Sequence, residues 1–413
     1  MIHFNSHRFK NGLRLIHHYN ATTGMVAVNL MFDVGSSDED PSKTGLAHLL
    51  EHLMFSGSKN VAKHDDMLQR AGGDSNAWTS ADVTCYYDVL PVHNLETALW
   101  LESERLVNLS LTDENIAVQK SVVIEEFKQR YLNQPYGDVH HLTHGLAYEV
   151  HPYRWPTIGL DVDTIKSFSS SDIIDFHNRF YAVNNLVMCI SGNVEFDKAV
   201  AMVEKWFGDI EPHHIVPRNL PKEPAQQQCR FLAHKTDVPN NMLFLTYHMC
   251  SRTSDDYPVT DLISDILGNG MSSRFYQQLI LNGNGMFADV DASVLGSRDP
   301  GLFYIRARLE QGVDFDKARD AINVVLRQLI EEGATKHEID KCVNKYISNK
   351  LFENVGYAEK AVSLCTHELL WGAQGVNAEN DRYREITPQA VRRVASQLFD
   401  SNNCSVIYYG PGA

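Results

Sequence analysis

The chain has 413 residues, of which 43% are hydrophobic and 22% are charged, a composition typical of globular proteins. This length exceeds what one hydrophobic core supports, so we expect two or more domains. The formal net charge of −15 argues against nucleic acid or an anionic membrane surface as the main partner.

The chain has no run of about 18 apolar residues, so no membrane span is expected. Residues 1–10 are polar and do not have the pattern of a secretory signal. The seven cysteines are scattered singly without C-x-x-C spacing, which predicts free and mostly buried thiols in a reducing compartment. We therefore expect a cytoplasmic protein, with the periplasm as the alternative if a leader has been removed.

In chain order, strands and helices both recur within the first half. β-branched and aromatic residues predict strands at 12–18, 27–34 and 84–90. Helical periodicity predicts helices at 44–55, 95–109, 113–132 and 171–181. These elements predict an α+β sandwich in which helices pack on one face of a mixed or antiparallel sheet.

The chain also contains an internal repeat. Residues Leu46 to Gly57 align with Val259 to Gly270 at an offset of 213 residues. Residues Phe180 to Asn185 align with Leu398 to Asn403 at an offset of 218 residues, and each match runs on into a strand that ends in glycine. Two matches with similar offsets predict a duplicated domain.

The repeat predicts two homologous domains, at residues 1–215 and 225–413. The join lies near Asp209 to Gln228, a stretch rich in Pro, His and Gln that is typical of a surface linker.

The sequence from His48 to His52, His-Leu-Leu-Glu-His, lies inside a helical pattern. His48 and His52 are one turn apart on the same helix face, and Glu51 lies close to that face. The surrounding leucines predict that this helix is buried. Burying two imidazoles and a carboxylate without partners costs several kcal/mol, whereas a zinc ion would satisfy them.

Two histidines make an incomplete site, because catalytic zinc usually has three protein ligands. The best candidate for the third is Glu126, whose neighbour Glu125 points about 100° away on the same predicted helix. Zinc would make a water acidic and polarise a peptide carbonyl, and Glu51 would accept the proton as general base. The alternative interpretation is that His48 and His52 are satisfied core histidines.

H-x-x-E-H reverses the common H-E-x-x-H zinc-peptidase motif and marks the inverzincins. The chain resembles the pitrilysin-like M16 metallopeptidases, in particular short subunits related to the mitochondrial processing peptidase β-subunit. The stretch from Gly45 to Ser58 is similar to the family's metal helix, and Gly72 to Thr79 to its active-site edge strand. Glu126 stands where the family has its third ligand, and Trp155 to Gly192 is also similar.

This resemblance implies that Asn76 and Ala77 lie on an edge strand to which an extended peptide adds through backbone hydrogen bonds. The alternative for Asn76 is an ordinary turn or edge residue. Gln119 stands where the family often has a glutamate packed behind the site, so it is expected to support the site from behind and not to act as a ligand.

The second half has Asp261, Ser264 and Asp265 in place of the three motif residues. Two carboxylates without imidazole make a poor zinc site, so we expect one zinc per chain, in the first domain only. Asp261 and Asp265 are expected to be solvated or capping groups.

Related chains hold the substrate with an Arg and a Tyr in a segment similar to R-x-x-x-G-L-A-Y. The matching segment here, Ile280 to Asp289, has neither residue. The resemblance therefore implies a heterodimer that closes like a clamshell with a metal-free subunit, a homodimer being the alternative. Arg274 is a possible substitute but is expected to form a structural salt bridge.

Other clusters are expected to carry no chemistry. His140, His141 and His144 predict a solvated helix face, and the pairs His17–His18 and His213–His214 predict surface residues. None of the cysteines is assigned as a nucleophile.

The sequence thus predicts a zinc-dependent endopeptidase that acts on short or unfolded peptides. The rival hypothesis is a non-catalytic scaffold subunit with the same fold.

Overall fold

Eleven strands form two mixed β-sheets in a computed structural model that describes residues 1–413. The first sheet contains β1 (Asn5–Arg8), β2 (Arg14–Tyr19), β3 (Met25–Phe32), β4 (Asp74–Thr79), β5 (Thr84–Pro91) and β6 (Leu186–Gly192). The second contains β7 (Arg230–His234), β8 (Met242–His248), β9 (Phe287–Leu295), β10 (Leu302–Leu309) and β11 (Cys404–Tyr409).

Fourteen α-helices accompany the sheets. Those that come before β7 in the chain are α1 (Leu46–Leu53), α2 (His64–Arg70), α3 (Leu95–Val107), α4 (Asp113–Phe127), α5 (Val139–Ala147), α6 (Val162–Ser167), α7 (Ser170–Phe180) and α8 (Phe196–Phe207). The others are α9 (Tyr257–Gly268), α10 (Phe315–Glu332), α11 (Lys336–Glu353), α12 (Tyr357–Leu370), α13 (Gly375–Arg384) and α14 (Pro388–Leu398). None of them is both long and apolar enough to cross a membrane.

The two sheets share one strand pattern. The first has the order β1-β2-β6-β3-β5-β4, and the second has the order β7-β11-β8-β10-β9. In each, the pair β2/β6 or β7/β11 is parallel and the following pairs are antiparallel. Five strands of the first sheet therefore have counterparts of the same order and direction in the second, as a duplicated domain would have.

The chain forms two compact units, each assembled from three stretches. The first unit comprises residues 1–130, 155–220 and 350–378, and the second comprises 131–154, 221–349 and 379–413. The predicted domains 1–215 and 225–413 are each one continuous stretch of chain. Their bounds follow the sequence repeat and differ from those of the two compact units.

The two units interleave along the chain because two helices, α5 and α12, each pack on the sheet formed by the other half of the sequence. Leu364 and Cys365 of α12 pack against Met31 and Cys189 of the first sheet. Leu142 of α5 packs, together with other apolar residues of that helix, against the second sheet. Apolar burial outweighs nearness in sequence in deciding which sheet a helix joins.

The predicted α+β class is confirmed, with one correction to the layer arrangement. Helices were expected on one face of the sheet, but α12 covers the second face of the first sheet. The central strand β3 is consequently buried on both faces, which suits its nearly continuous apolar sequence. The helix predicted at 113–132 ends its α-helical part at Phe127 and continues as a π-helical segment, Lys128–Leu132.

The N-terminus of α1 is fixed by a close backbone contact. Gly45 has a φ of +97°, and a Cβ there would lie 2.4 Å from the Ile158 carbonyl oxygen. Gly159 mirrors it, with a φ of +102° and a Cβ position 2.5 Å from the Thr44 carbonyl oxygen. Only glycine combines that backbone conformation with such an approach, so both positions need it.

Glu39 completes this anchor with side-chain hydrogen bonds. Its carboxylate accepts hydrogen bonds from the backbone amides of Gly45, at 2.9 Å, and Ala47, at 2.8 Å. Glu39 is 5% exposed, so water cannot replace these bonds. A single buried acid therefore satisfies two amide donors that the start of α1 leaves unpaired.

We expect Glu39→Ala to lower the free energy of unfolding by about 2 kcal/mol, because two buried amides lose their acceptor. Chemical denaturation measures the change. As a control, Asp163→Ala removes a carboxylate that is 91% exposed, and it should change stability by less than about 0.5 kcal/mol. Equal stability of the two variants would contradict the anchoring role of Glu39.

Candidate metal centre

His48, His52 and Glu126 meet at one point. Helix α1 presents both imidazoles, whose ring centroids are 4.7 Å apart, and α4 presents the carboxylate. Oε2 of Glu126 lies 3.3 Å from Nε2 of His52 and 3.8 Å from Nε2 of His48. One ligand atom from each residue lies within 4.8 Å of the other two.

The protonation states of these groups suit a metal ion. Burial, and next the neighbouring His52, lower the pKa of His48 to about 4, so its ring is neutral at neutral pH. The contact with His52 is the main cause that lowers the pKa of Glu126, so this carboxylate is ionised. Two imidazoles and one carboxylate form a standard zinc donor set, and the residues therefore fit that ion.

The other oxygen of the Glu126 carboxylate faces a cation. Nη1 of Arg130 lies 3.0 Å from Oε1 of Glu126, one turn further along the chain. Because Arg130 takes Oε1, Oε2 is the oxygen that faces the two histidines. Arg130 was not singled out in the sequence, although its i, i+4 spacing from Glu126 was a usable signal.

Glu51 lies on α1 between the two histidines but does not join the three-residue cluster. Its Oε2 accepts a short hydrogen bond from the Thr79 hydroxyl at the end of β4. Burial raises the pKa of Glu51, and the Thr79 hydrogen bond acts in the opposite direction. A partly buried carboxylate beside the candidate ligands has the position that a general base needs.

Strand β4 carries the predicted peptide-binding residues Asn76 and Ala77. It pairs only with β5, so its other edge has no strand partner. The Asn76 side chain turns back on its own strand, where Oδ1 accepts a hydrogen bond from the Ala77 amide at 2.8 Å. The open edge agrees with the predicted geometry of peptide addition, but the role of these two residues stays a prediction.

Gln119 lies on α4, two turns before Glu126. It lines a cavity of about 380 Å³ together with Phe55 and Ser56, which follow α1, and with His64 and Glu114. Its place behind the metal ligands stays a prediction.

A second group of metal-binding residue types, His64, Asp88 and Glu102, is fully buried in the same unit. Both oxygens of Glu102 are taken by Arg105, at 2.7 and 2.5 Å. Although burial alone would raise the pKa of Glu102, Arg105 lowers it to about 2. The guanidinium neutralises this carboxylate, so Glu102 belongs to an internal ion pair with Arg105.

The second unit has no counterpart of the metal cluster. Asp261 accepts a hydrogen bond from the Tyr383 hydroxyl at 2.5 Å, and Asp265 accepts one from the Asn269 amide at 2.5 Å. Neither belongs to a group of three close metal-binding residues. The two carboxylates therefore have separate protein partners.

The histidines of α5 do not lie on a solvated helix face as the sequence predicted. His144 is 8% exposed, and its Nδ1 donates to the Tyr153 carbonyl at 2.6 Å. The Tyr304 hydroxyl lies 2.5 Å from Nε2 of His144, and the ring stacks on His140. The predicted solvated face is therefore wrong, because α5 packs on the second sheet. Burial lowers the pKa of both residues, to about 3 for His140 and about 4 for His144.

His17 is also buried rather than at the surface. It is 1% exposed, and its Nε2 lies 2.8 Å from the Val194 carbonyl oxygen. His213, in contrast, is exposed as predicted. The seven cysteines are free, and five of them are buried, which confirms the prediction of free and mostly buried thiols.

Comparison with known proteins relates the chain to the M16 peptidases. The family described as Insulinase (Peptidase family M16) matches residues 14–159, and the Peptidase M16 inactive domain matches residues 167–346. The zinc protease PqqE of Helicobacter pylori is 27% identical over 410 residues, which cover 97% of this chain and 91% of that protein. The uncharacterized zinc protease YmxG of Bacillus subtilis is 24% identical over 393 residues, which cover 94% of each chain.

Solved structures share the fold over the whole chain. A protease from Helicobacter pylori has a TM-score of 0.94 at 26% identity and covers 100% of both chains. Pitrilysin has a TM-score of 0.79 at 18% identity, over 99% of this chain and 45% of that chain, which shows likeness of fold alone.

We expect Glu126→Gln to weaken zinc binding at least about tenfold, or 1.4 kcal/mol, because it removes the only anionic group of the donor set. Competition with a chromophoric chelator measures the affinity. Glu125→Gln is the matched control, since Glu125 is 72% exposed and pairs with Lys128 instead. Similar zinc affinity in both variants would count against Glu126 as a ligand.

Proposed function

Because the chain belongs to the M16 peptidase family, we propose that it is a zinc-dependent endopeptidase acting on short or unfolded peptides. The observation that carries the proposal is the meeting of His48, His52 and Glu126 beside Glu51. The zinc proteases PqqE and YmxG, which match most of the chain, support it.

In this proposal His48, His52 and Glu126 hold one zinc ion per chain. When bound, zinc supplies Lewis acidity, which polarises a peptide carbonyl and makes a water acidic. Glu51 takes up the proton of that water and returns it to the leaving amine. Burial raises the pKa of Glu51, which strengthens it as a base as long as it stays ionised at the working pH.

The chain's own residues also orient the peptide. The open edge of β4 would pair with an extended backbone, with Asn76 and Ala77 next to the scissile bond. Such pairing recognises the backbone of the peptide more than its side chains. It therefore suits unfolded segments rather than folded surfaces. Folded proteins rarely offer a free extended strand of this kind.

A partner subunit remains part of the proposal. Arg274, the candidate for replacing the family's substrate-holding arginine, is engaged elsewhere: it pairs with Glu338 at 2.7 Å and with the Gly333 carbonyl at 2.8 Å. A bound arginine of this kind is structural, so we propose that a metal-free subunit supplies the missing contacts. A homodimer is the alternative.

The rival hypothesis of a non-catalytic scaffold predicts no stoichiometric metal. It gives no reason for two imidazoles and a carboxylate to converge, since leaving such groups without a ligand is unfavourable. Zinc analysis of the purified chain separates the two hypotheses, with one ion per chain expected for the peptidase.

We expect Glu51→Gln to keep its zinc and lose peptide hydrolysis by at least about 100-fold, because the amide cannot accept the proton. The measurements are metal analysis and cleavage of an unfolded polypeptide substrate. Glu125→Gln serves again as control, since it removes an exposed carboxylate of the same unit. Full activity of Glu51→Gln would contradict the proposed mechanism.

We also expect the purified chain alone to hydrolyse peptides weakly, and a co-purified metal-free subunit to raise kcat/KM. Size-exclusion chromatography combined with peptide cleavage measures both the assembly and the rate. Efficient cleavage by a strict monomer or homodimer would exclude the heterodimer.

A further inference from the structure

Thr79 connects the peptide-binding edge strand to the proposed base. It is the last residue of β4, three positions beyond Asn76, and its hydroxyl donates to Oε2 of Glu51 on α1. The two residues are 28 apart in sequence, so the contact depends on the folded arrangement of strand and helix. No other hydrogen bond from the protein reaches the Glu51 carboxylate.

The side chains of β4 alternate between its two faces. Ser75, Ala77 and Thr79 share one face, and Thr79 reaches α1 from it. The strand that would hold the peptide backbone therefore also holds the base. One rigid element thus sets the distance between the base and an extended peptide.

The Glu51 carboxylate needs such a restraint because its position suits two different chemical roles. It lies on α1 within one turn of His48 and His52, and a carboxylate there can serve either as a base or as a further metal ligand. Glu126 already supplies the carboxylate that faces the two imidazoles. A free rotamer of Glu51 would compete with Glu126 for that place.

We propose that Thr79 is a positioning residue that fixes the Glu51 carboxylate as a base and keeps it from acting as a metal ligand. This inference rests on the proposed peptidase function. The Thr79 hydroxyl occupies Oε2 of Glu51 and leaves Oε1 to exchange protons. Thr79 itself neither binds the metal nor takes part in proton transfer.

The test compares Thr79→Ser with Thr79→Ala, because these variants differ from each other by one hydroxyl group. Zinc content, melting temperature, kcat and KM are measured on the full chain, together with its partner subunit if one co-purifies. We expect Thr79→Ala to keep its zinc and lower kcat by about 10- to 100-fold, with little change in KM. Thr79→Ser should restore most of kcat.

The control is Thr84→Val, which removes a hydroxyl from the residue paired with Thr79 across β4 and β5. The Thr84 hydroxyl donates to the Val34 carbonyl at 3.0 Å and makes no hydrogen bond to Glu51. We expect this variant to lose stability but to keep kcat. If Thr84→Val lost as much kcat as Thr79→Ala, a disturbance of the strand pairing would by itself explain the loss of activity. That result would overturn the positioning role of Thr79.

The possible outcomes separate the two proposals. If Glu51→Gln is inactive while Thr79→Ala and Thr79→Ser have equal kcat, the positioning role is wrong and the peptidase proposal stands. If Glu51→Gln is fully active, the proposed function is wrong whatever Thr79 does. Loss of zinc from Thr79→Ala but not from Thr79→Ser would also overturn the inference, because the hydroxyl would then support the metal ligands rather than the base.

Discussion

Two carboxylates beside two imidazoles set the main physical constraint on this protein. Glu51 and Glu126 both lie next to the histidines of α1, and like charges so placed repel one another unless each has a partner. Arg130 holds one oxygen of Glu126, and Thr79 holds one oxygen of Glu51. The two acids are thereby assigned different positions, and their proposed chemical roles follow from that difference.

The rest of the first unit can be understood as support for α1. The buried Glu39 fixes the amides at its start, and the Gly45–Gly159 contact allows the backbone to approach closely enough. Strand β4 restrains the side of the helix where Glu51 lies. The geometry of the proposed metal centre thus depends on residues outside the ligand set, as is usual for sites built on rigid elements.

The sequence predicted the parts of the site that depend on local geometry. Helical spacing places His48, Glu51 and His52 together whatever the rest of the fold does, and the family resemblance implied Glu126 as the third ligand. Thr79 was out of reach of such reasoning, because its contact with Glu51 exists only once β4 and α1 have packed. The misreading of His144 has the same origin, since a helix sequence does not reveal that Tyr304 of a distant strand will face it.

The two units also show that a shared strand order does not carry a shared chemistry. The second sheet repeats the five-strand pattern of the first, but Asp261 and Asp265 stand where the first unit has imidazoles. There the Tyr383 hydroxyl satisfies Asp261 and the Asn269 amide satisfies Asp265, so neither carboxylate is left in need of a cation. The same fold therefore carries the proposed metal ligands in one unit and ordinary hydrogen-bonded carboxylates in the other, so fold alone does not decide the chemistry.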